Sequence, residues 1–119
     1  MAGEINELQF KPSSDDRKDP KHRLTVWAER LILDEHICAL SNNDPAESII
    51  ARLNVDDIRA LRPEPSTPDI PHLEVEWHED PRPRAEGHAG IRDLLEGSKL
   101  QRRSLRVQLA SLAQKGRVG

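Results

Sequence analysis

The sequence predicts a small single α+β domain, with a mixed or antiparallel sheet, helices on one face and a long C-terminal helix. Three observations carry that prediction. Arg23 to Ala28 and His72 to His78 alternate side chains with the two-residue period of strands. Residues 54–61 and 98–114 repeat apolar side chains at helical spacing between recognisable caps. A chain of 119 residues has room for one hydrophobic core and not two.

Taken in order, residues 1–22 are expected to be a flexible N-terminal segment. Leu8 and Phe10, two apart within Glu4 to Phe10, signal a first short strand. Residues 11–22 contain no aliphatic or aromatic residue and read as a mobile loop. The domain proper is expected over 23–116. In Arg23 to Ala28, Leu24, Val26 and Ala28 alternate with Thr25 and Trp27. A β-branched residue on each face predicts a strand buried on both sides, with Trp27 in the core. Leu33, Ile37 and Leu40 share one face of a short helix over 33–41, with a second strand as the alternative. Asp44-Pro45-Ala46-Glu47 suits a helix start, but Ser48 to Ala51 is a β-type run, and strand is preferred there.

Asn54 caps the next helix, Asp56 and Asp57 suit its positive end, and Val55, Ile58 and Leu61 form its expected buried stripe. Pro63, Pro65, Pro68 and Pro71 then make 62–71 an extended surface linker. In His72 to His78, Leu73, Val75 and Trp77 point one way, and His72, Glu74, Glu76 and His78 the other. Residues 88–96 read as a short strand or a helical turn. The last helix, 98–114, starts at Ser98, stops at Gly116 and buries Leu105, Leu109 and Leu112. Lys99, Arg102, Arg103 and Arg106 lie on a neighbouring face about a quarter-turn away.

The net charge of −3 divides into +6 over residues 97–119 and −9 over 1–96. Such a basic end either folds back on its own acidic body or meets an acidic partner or nucleic acid. No apolar run is long enough for a membrane helix, and no stretch has signal-peptide order. Cys38 is the only cysteine, so no internal disulfide is expected, and a cytoplasmic protein is the natural reading. There is no Gly-rich phosphate loop, no GxSxG and no HExxH. Tyr is absent and Trp and Phe total three, so a nucleic-acid contact through the last helix would be weak and salt-sensitive.

Three sets of residues carry the candidate chemistry. His72, Glu74, Glu76 and His78 share a strand face that reads as a solvated polar surface. His72 and His78 stand roughly 20 Å apart on an extended strand and do not meet on one metal, and the metal alternative is Glu76 and His78 with a distant third ligand such as His88. His36 and Cys38 lack the second ligand pair a zinc site uses, so no metal and no cofactor are expected, and Cys38 reads as a buried thiol. His88, between Gly87 and Gly90, is the single residue best suited to acid–base work, with Arg52 or Glu86 as companions; its more ordinary role is to orient the turn after the prolines.

The order of several short motifs resembles a family of small uncharacterised bacterial proteins with a Pro-rich stretch, then His-Ala-x-Ile and a C-terminal helix. The matching stretches are Leu24-Thr25-Val26-Trp27, Ile37-Cys38-Ala39-Leu40, Ala51-Arg52, Leu73-Glu74-Val75, Pro81-Arg82-Pro83, His88-Ala89-Gly90-Ile91 and Leu109 to Ala113. The chain departs from that pattern at Arg92-Asp93, where the family has Val-Gly, and in the 62–71 linker. The resemblance implies an accessory protein of a bacterial gene cluster. The function expected from all this is a non-enzymatic accessory or regulatory interaction protein of a bacterial multi-gene system, such as defence or toxin control. A protein partner is expected at Arg102, Arg103 and Arg106 and at Glu74, Glu76 and His78. The alternatives are a small enzyme using His88 with Arg52, or a nucleic-acid binder through the last helix.

Overall fold

The computed structural model describes residues 5, 7–10, 23–32, 34–40 and 50–117. In chain order its elements are β1 (Leu24–Trp27), α1 (Asp34–Leu40), α2 (Val55–Ala60), β2 (Glu74–Trp77), β3 (His88–Arg92) and α3 (Lys99–Lys115), with 3-10 turns at Glu7–Phe10 and Glu29–Leu31. The expected α+β domain is the one found. Its three strands form one antiparallel sheet in the order β1–β3–β2, so the segment left open between strand and helical turn is the central strand.

The register decides what each face carries. Leu24 pairs with Ile91 and Ile91 with Val75; one step on, Val26 pairs with Ala89 and Ala89 with Trp77. Directly paired residues point to the same side, so these six make one apolar face. Thr25, Gly90 and Glu76, and then Trp27 and His88, make the other. The apolar face packs against α2 and α3. Ile58, Leu73, Ile91, Leu94, Leu105 and Leu109 are buried in one cluster, with Leu24, Val26, Val75 and Phe10 against it.

Local signals explain the helices. The Asn54 side chain accepts hydrogen bonds from the Asp56 and Asp57 amides, which caps α2. Ser98 and Gln101 form a reciprocal capping box at α3, and the Gly116 amide closes its other end on the Leu112 carbonyl. Ser98→Ala is expected to cost about 1 kcal/mol, read as a lower urea midpoint with an unchanged slope. Gln101, Ser104 and Gln108 of α3 also hold the proline-rich linker. Gln101 Nε2 donates to the Pro65 carbonyl at 2.8 Å, Ser104 Oγ accepts from the Glu64 amide at 3.0 Å, and Gln108 Nε2 donates to the Arg62 carbonyl at 2.8 Å. The linker is therefore fastened along α3 by three polar side chains of that helix.

Several expectations are corrected. Glu7–Phe10 is a 3-10 turn and not a strand, because Glu7 is drawn to Arg103 and Arg106 of α3 while Phe10 turns into the core and Leu8 stays exposed. β1 is not buried on both faces: Thr25 is exposed, and Trp27 is half-buried against His88 on the polar face and not in the core cluster. Val55 and Trp77 carry the apolar spacing but stay exposed, since α2 covers the sheet with Ile58 and the edge strand runs beyond it. The short helix over 33–41 is found as α1, and Cys38 is buried. The mobile loop over 11–22 and the strand-or-helix choice over 44–49 lie outside the described residues. At the end of that run, Ala51 forms an isolated antiparallel bridge with Arg117.

Candidate functional site

His88 opens β3 on the polar face, directly opposite Trp27 of β1. On its other side the His78 amide donates to the His88 carbonyl at 3.0 Å, which sets His78 opposite it as well. The three rings therefore line up across the sheet. His88 stacks on Trp27 with ring centroids 4.7 Å apart and on His78 at 4.3 Å, the two imidazoles lying within 2° of parallel. Only 8% of His88 remains exposed.

A second layer fixes the ring in its own plane. His88 Nδ1–H donates to Asp80 Oδ2 at 2.8 Å. A carboxylate only accepts, so the neutral ring carries its proton on Nδ1 and presents a lone pair at Nε2. Nε2 is buried and has no hydrogen-bond partner. Asp80 is in turn gripped by Arg82. The Arg82 amide donates to Oδ1 at 3.0 Å, closing an Asx turn, while Nε and Nη2 donate to the carboxylate at 2.9 and 2.6 Å. Pro81 and Pro83 flank Arg82 and stiffen its backbone, which places the guanidinium. Its remaining arm, Nη1, donates to the Leu40 carbonyl at the C-terminal end of α1 at 2.8 Å, where a helix welcomes a cation.

The electrostatics follow from these contacts. The Arg82 guanidinium beside Asp80, with further help from the Arg82 amide and His88, holds the Asp80 carboxyl far below the usual carboxylate range. Burial pushes the His88 imidazole below its ordinary value, His78 and Arg82 push the same way, and the bond to Asp80 opposes them without winning. His88 is thus held neutral at pH 7.

On the same face one rung away, Arg23 reaches across β3 to Glu76 at 3.1 Å, and Arg92 meets the other Glu76 oxygen at 3.1 Å. Gly90 makes that crossing possible. A Cβ built there would lie 2.6 Å from the Arg23 Cβ.

The expected companions of His88 are not found beside it. Arg52 pairs with Glu29, and Glu86 is exposed; Asp80 and Arg82 take their place. A reader of the sequence had one clue to this, the Asp-Pro-Arg-Pro spacing shortly before His88, which stiffens one turn around a carboxylate and a guanidinium. The six residues expected to meet a partner are placed as follows. Arg106 pairs with Glu7 at 2.7 Å and Arg103 approaches it at 3.7 Å, so the basic helix folds back on an acid of its own chain. Glu76 lies between Arg23 and Arg92, Glu74 holds Arg59, and His78 stacks on His88. Arg102 makes no ion pair among the described residues.

The apolar face carries a second feature. Beyond α2 it opens into a groove of about 740 Å³ lined by Val26, Ala89, Trp77, Val55, Ile37 and Ile50. Trp77 stands at its edge with 64% of its surface exposed. Arg30, Arg52 and Arg59 line the groove with Glu29 and Glu76, and Arg30 makes no ion pair among the described residues.

Among the described residues no three His, Cys, Asp or Glu side chains gather as metal ligands, and no helix is long and apolar enough to cross a membrane. Fold and site thus define a small three-stranded α+β domain with a buried Asp–His pair on one sheet face and an open apolar groove on the other. No family model, curated protein or solved structure matches the chain.

Proposed function

We propose that this protein is a non-enzymatic interaction module, an accessory or regulatory subunit that binds a partner protein through the Trp77 groove. The observation that supports this reading is Trp77 itself, a large indole left 64% exposed beside a concave apolar wall. Exposed apolar patches next to a cleft mark recognition surfaces, and Trp is the side chain most often found at their energetic centre. The groove's volume is that of a pocket which takes one or two anchoring side chains. Arg52 and Arg59 in its lining are paired with Glu29 and Glu74, which leaves Arg30 as the cation at its rim without an ion pair among the described residues, so it suits an apolar segment that carries an acid. This moves the expected contact from Arg103, Arg106, Glu74 and Glu76, which are engaged within the chain, to the groove. A partner encoded beside it in a bacterial gene cluster fits the resemblance drawn from the sequence.

The test is affinity capture from the native host at low salt. Wild type is compared with Trp77→Ala and with a triple Arg102→Glu, Arg103→Glu, Arg106→Glu variant. A stoichiometric protein partner is expected with wild type and reduced at least tenfold by Trp77→Ala, an anchor of this kind being worth about 2 kcal/mol. Trp77 is exposed, so its removal leaves the fold intact by circular dichroism. Capture that ignores Trp77→Ala but vanishes in the arginine variant returns the contact to α3.

The Asp80–His88 pair favours a second reading. A carboxylate on Nδ1 and a bare lone pair on Nε2 is the arrangement of a general base. Arg52 takes no part in it. Because Nε2 is sealed from solvent, this reading requires the Trp27–His88–His78 stack to open. If His88→Ala folds normally yet loses the cellular phenotype, the catalytic reading gains; if it unfolds, His88 is structural.

A further inference from the structure

We propose that His88 is a pH-sensitive latch: its neutral ring, clamped between Trp27 and His78, holds Asp80 and Arg82 on the C-terminal carbonyl of α1, and its protonation releases that helix. The chain of contacts is continuous. His88 Nδ1 holds Asp80 Oδ2, Asp80 holds three donors of Arg82, and Arg82 Nη1 holds the Leu40 carbonyl. A strand, a proline-stiffened turn and a helix are joined through one imidazole.

The geometry makes the ring intolerant of a second proton. A proton added to His88 goes to Nε2, where the buried atom finds no acceptor. An unpaired buried donor that also carries charge is among the costliest groups to keep inside a fold. The charged and titratable groups around the ring do not rescue it. Asp80 attracts the charge, but Arg82 already neutralises Asp80; His78 lies flat on one ring face and disfavours a charge on it. The other face meets the Trp27 indole. One rung further along the sheet, Glu76 is engaged by Arg23 and Arg92. α1 presents the Leu40 carbonyl through Arg82, and its own titratable side chains include His36 and Cys38.

The sign of the pH dependence follows. The folded state binds a proton at His88 less readily than the unfolded chain does, so the contribution of His88 is complete above its ordinary value of 6.5 and is lost as pH falls through it. Asp80 does not interfere in that window. Its carboxyl stays ionised until the pH falls well below the ordinary carboxylate value. Ile37 of α1 lines the Trp77 groove, so acid release would also reshape that groove. This last consequence rests on the proposed function, whereas the latch does not.

Amide hydrogen exchange on the full chain at pH 7.5 and 5.5, corrected for intrinsic rates, is the test. Protection of the α1 amides is expected to fall up to about tenfold per pH unit below 6.5, while α3 keeps its protection. His88→Phe retains a flat ring for Trp27 and His78 but cannot titrate, so its α1 protection should be independent of pH; His78→Phe should keep the wild-type dependence. Protection of α1 that is flat in wild type, or that falls equally in His88→Phe, overturns the latch. Should His88→Phe fail to fold, the His88 ring signals of wild type decide by NMR titration. A midpoint shared with α1 opening supports the latch, and a midpoint separate from it overturns it.

Discussion

Asp80→Ala is expected to destabilise the domain by about 3 kcal/mol, one of the largest effects of any polar substitution in this chain. The carboxylate is almost fully buried, with 6% of its side chain exposed. Its removal strands two partners at once. His88 Nδ1–H loses its acceptor in a place water does not reach, and Arg82 loses the group that aims its last arm at Leu40. Arg82 is about half exposed and recovers some hydration, which keeps the loss at the lower end for a broken buried pair. Asp80→Asn should cost less, because its carbonyl oxygen still accepts from His88. Urea unfolding at pH 7.5 checks both variants. A loss below about 1 kcal/mol for Asp80→Ala would place Asp80 among ordinary surface ion pairs. Without Asp80, the group that draws a proton onto His88 is gone, so the ring should become harder still to protonate.

Gly90→Val is expected to cost about 3 kcal/mol, against what the sequence alone suggests. Valine favours strands and glycine weakens them, so propensity forecasts a gain at this position in the central strand. The structure reverses the sign. A Cβ at residue 90 would stand 2.6 Å from the Cβ of Arg23 and 3.0 Å from its Cδ. The first of these is the rigid root of the side chain, which does not swing away as a flexible tip does. Either β1 moves off β3, or Arg23 leaves Glu76 and the Trp77 carbonyl, which it reaches at 3.1 and 3.3 Å. Denaturant unfolding of Gly90→Val, with Gly90→Ala as the milder step, measures this. A stabilised Gly90→Val would show that Arg23 repacks freely and that its reach across the sheet has little structural weight.

The two expectations differ in how far they were legible. The α3 helix was readable to within a residue or so because its information is local: Ser98, Gln101, the leucine spacing and Gly116 all lie within one element. α2 was readable for the same reason, through Asn54 and the two aspartates. The alternation in residues 72–78 assigned β2 and sorted its two faces. Residues 88–92 carried a weaker signal, since Gly90 interrupts the β pattern and His88 spoils the apolar run. Both anomalies come from neighbours distant in sequence. Gly90 makes way for Arg23, and His88 answers to Trp27, His78 and Asp80.

Local order therefore belonged to the sequence: the α+β class, the caps, the strand faces and a buried thiol at Cys38 follow from periodicity and side-chain chemistry within short windows. Tertiary structure alone decided who meets whom. It put the last strand in the middle of the sheet, exchanged Arg52 for Asp80 and Arg82 beside His88, turned Arg103 and Arg106 onto Glu7, and left Trp77 at the edge of a groove. The physical reason is that a pattern of apolar and polar residues states which face of an element is buried, whereas an ion pair or a ring stack needs the register between strands and the path of the loops. Those are set by the packing of the whole core.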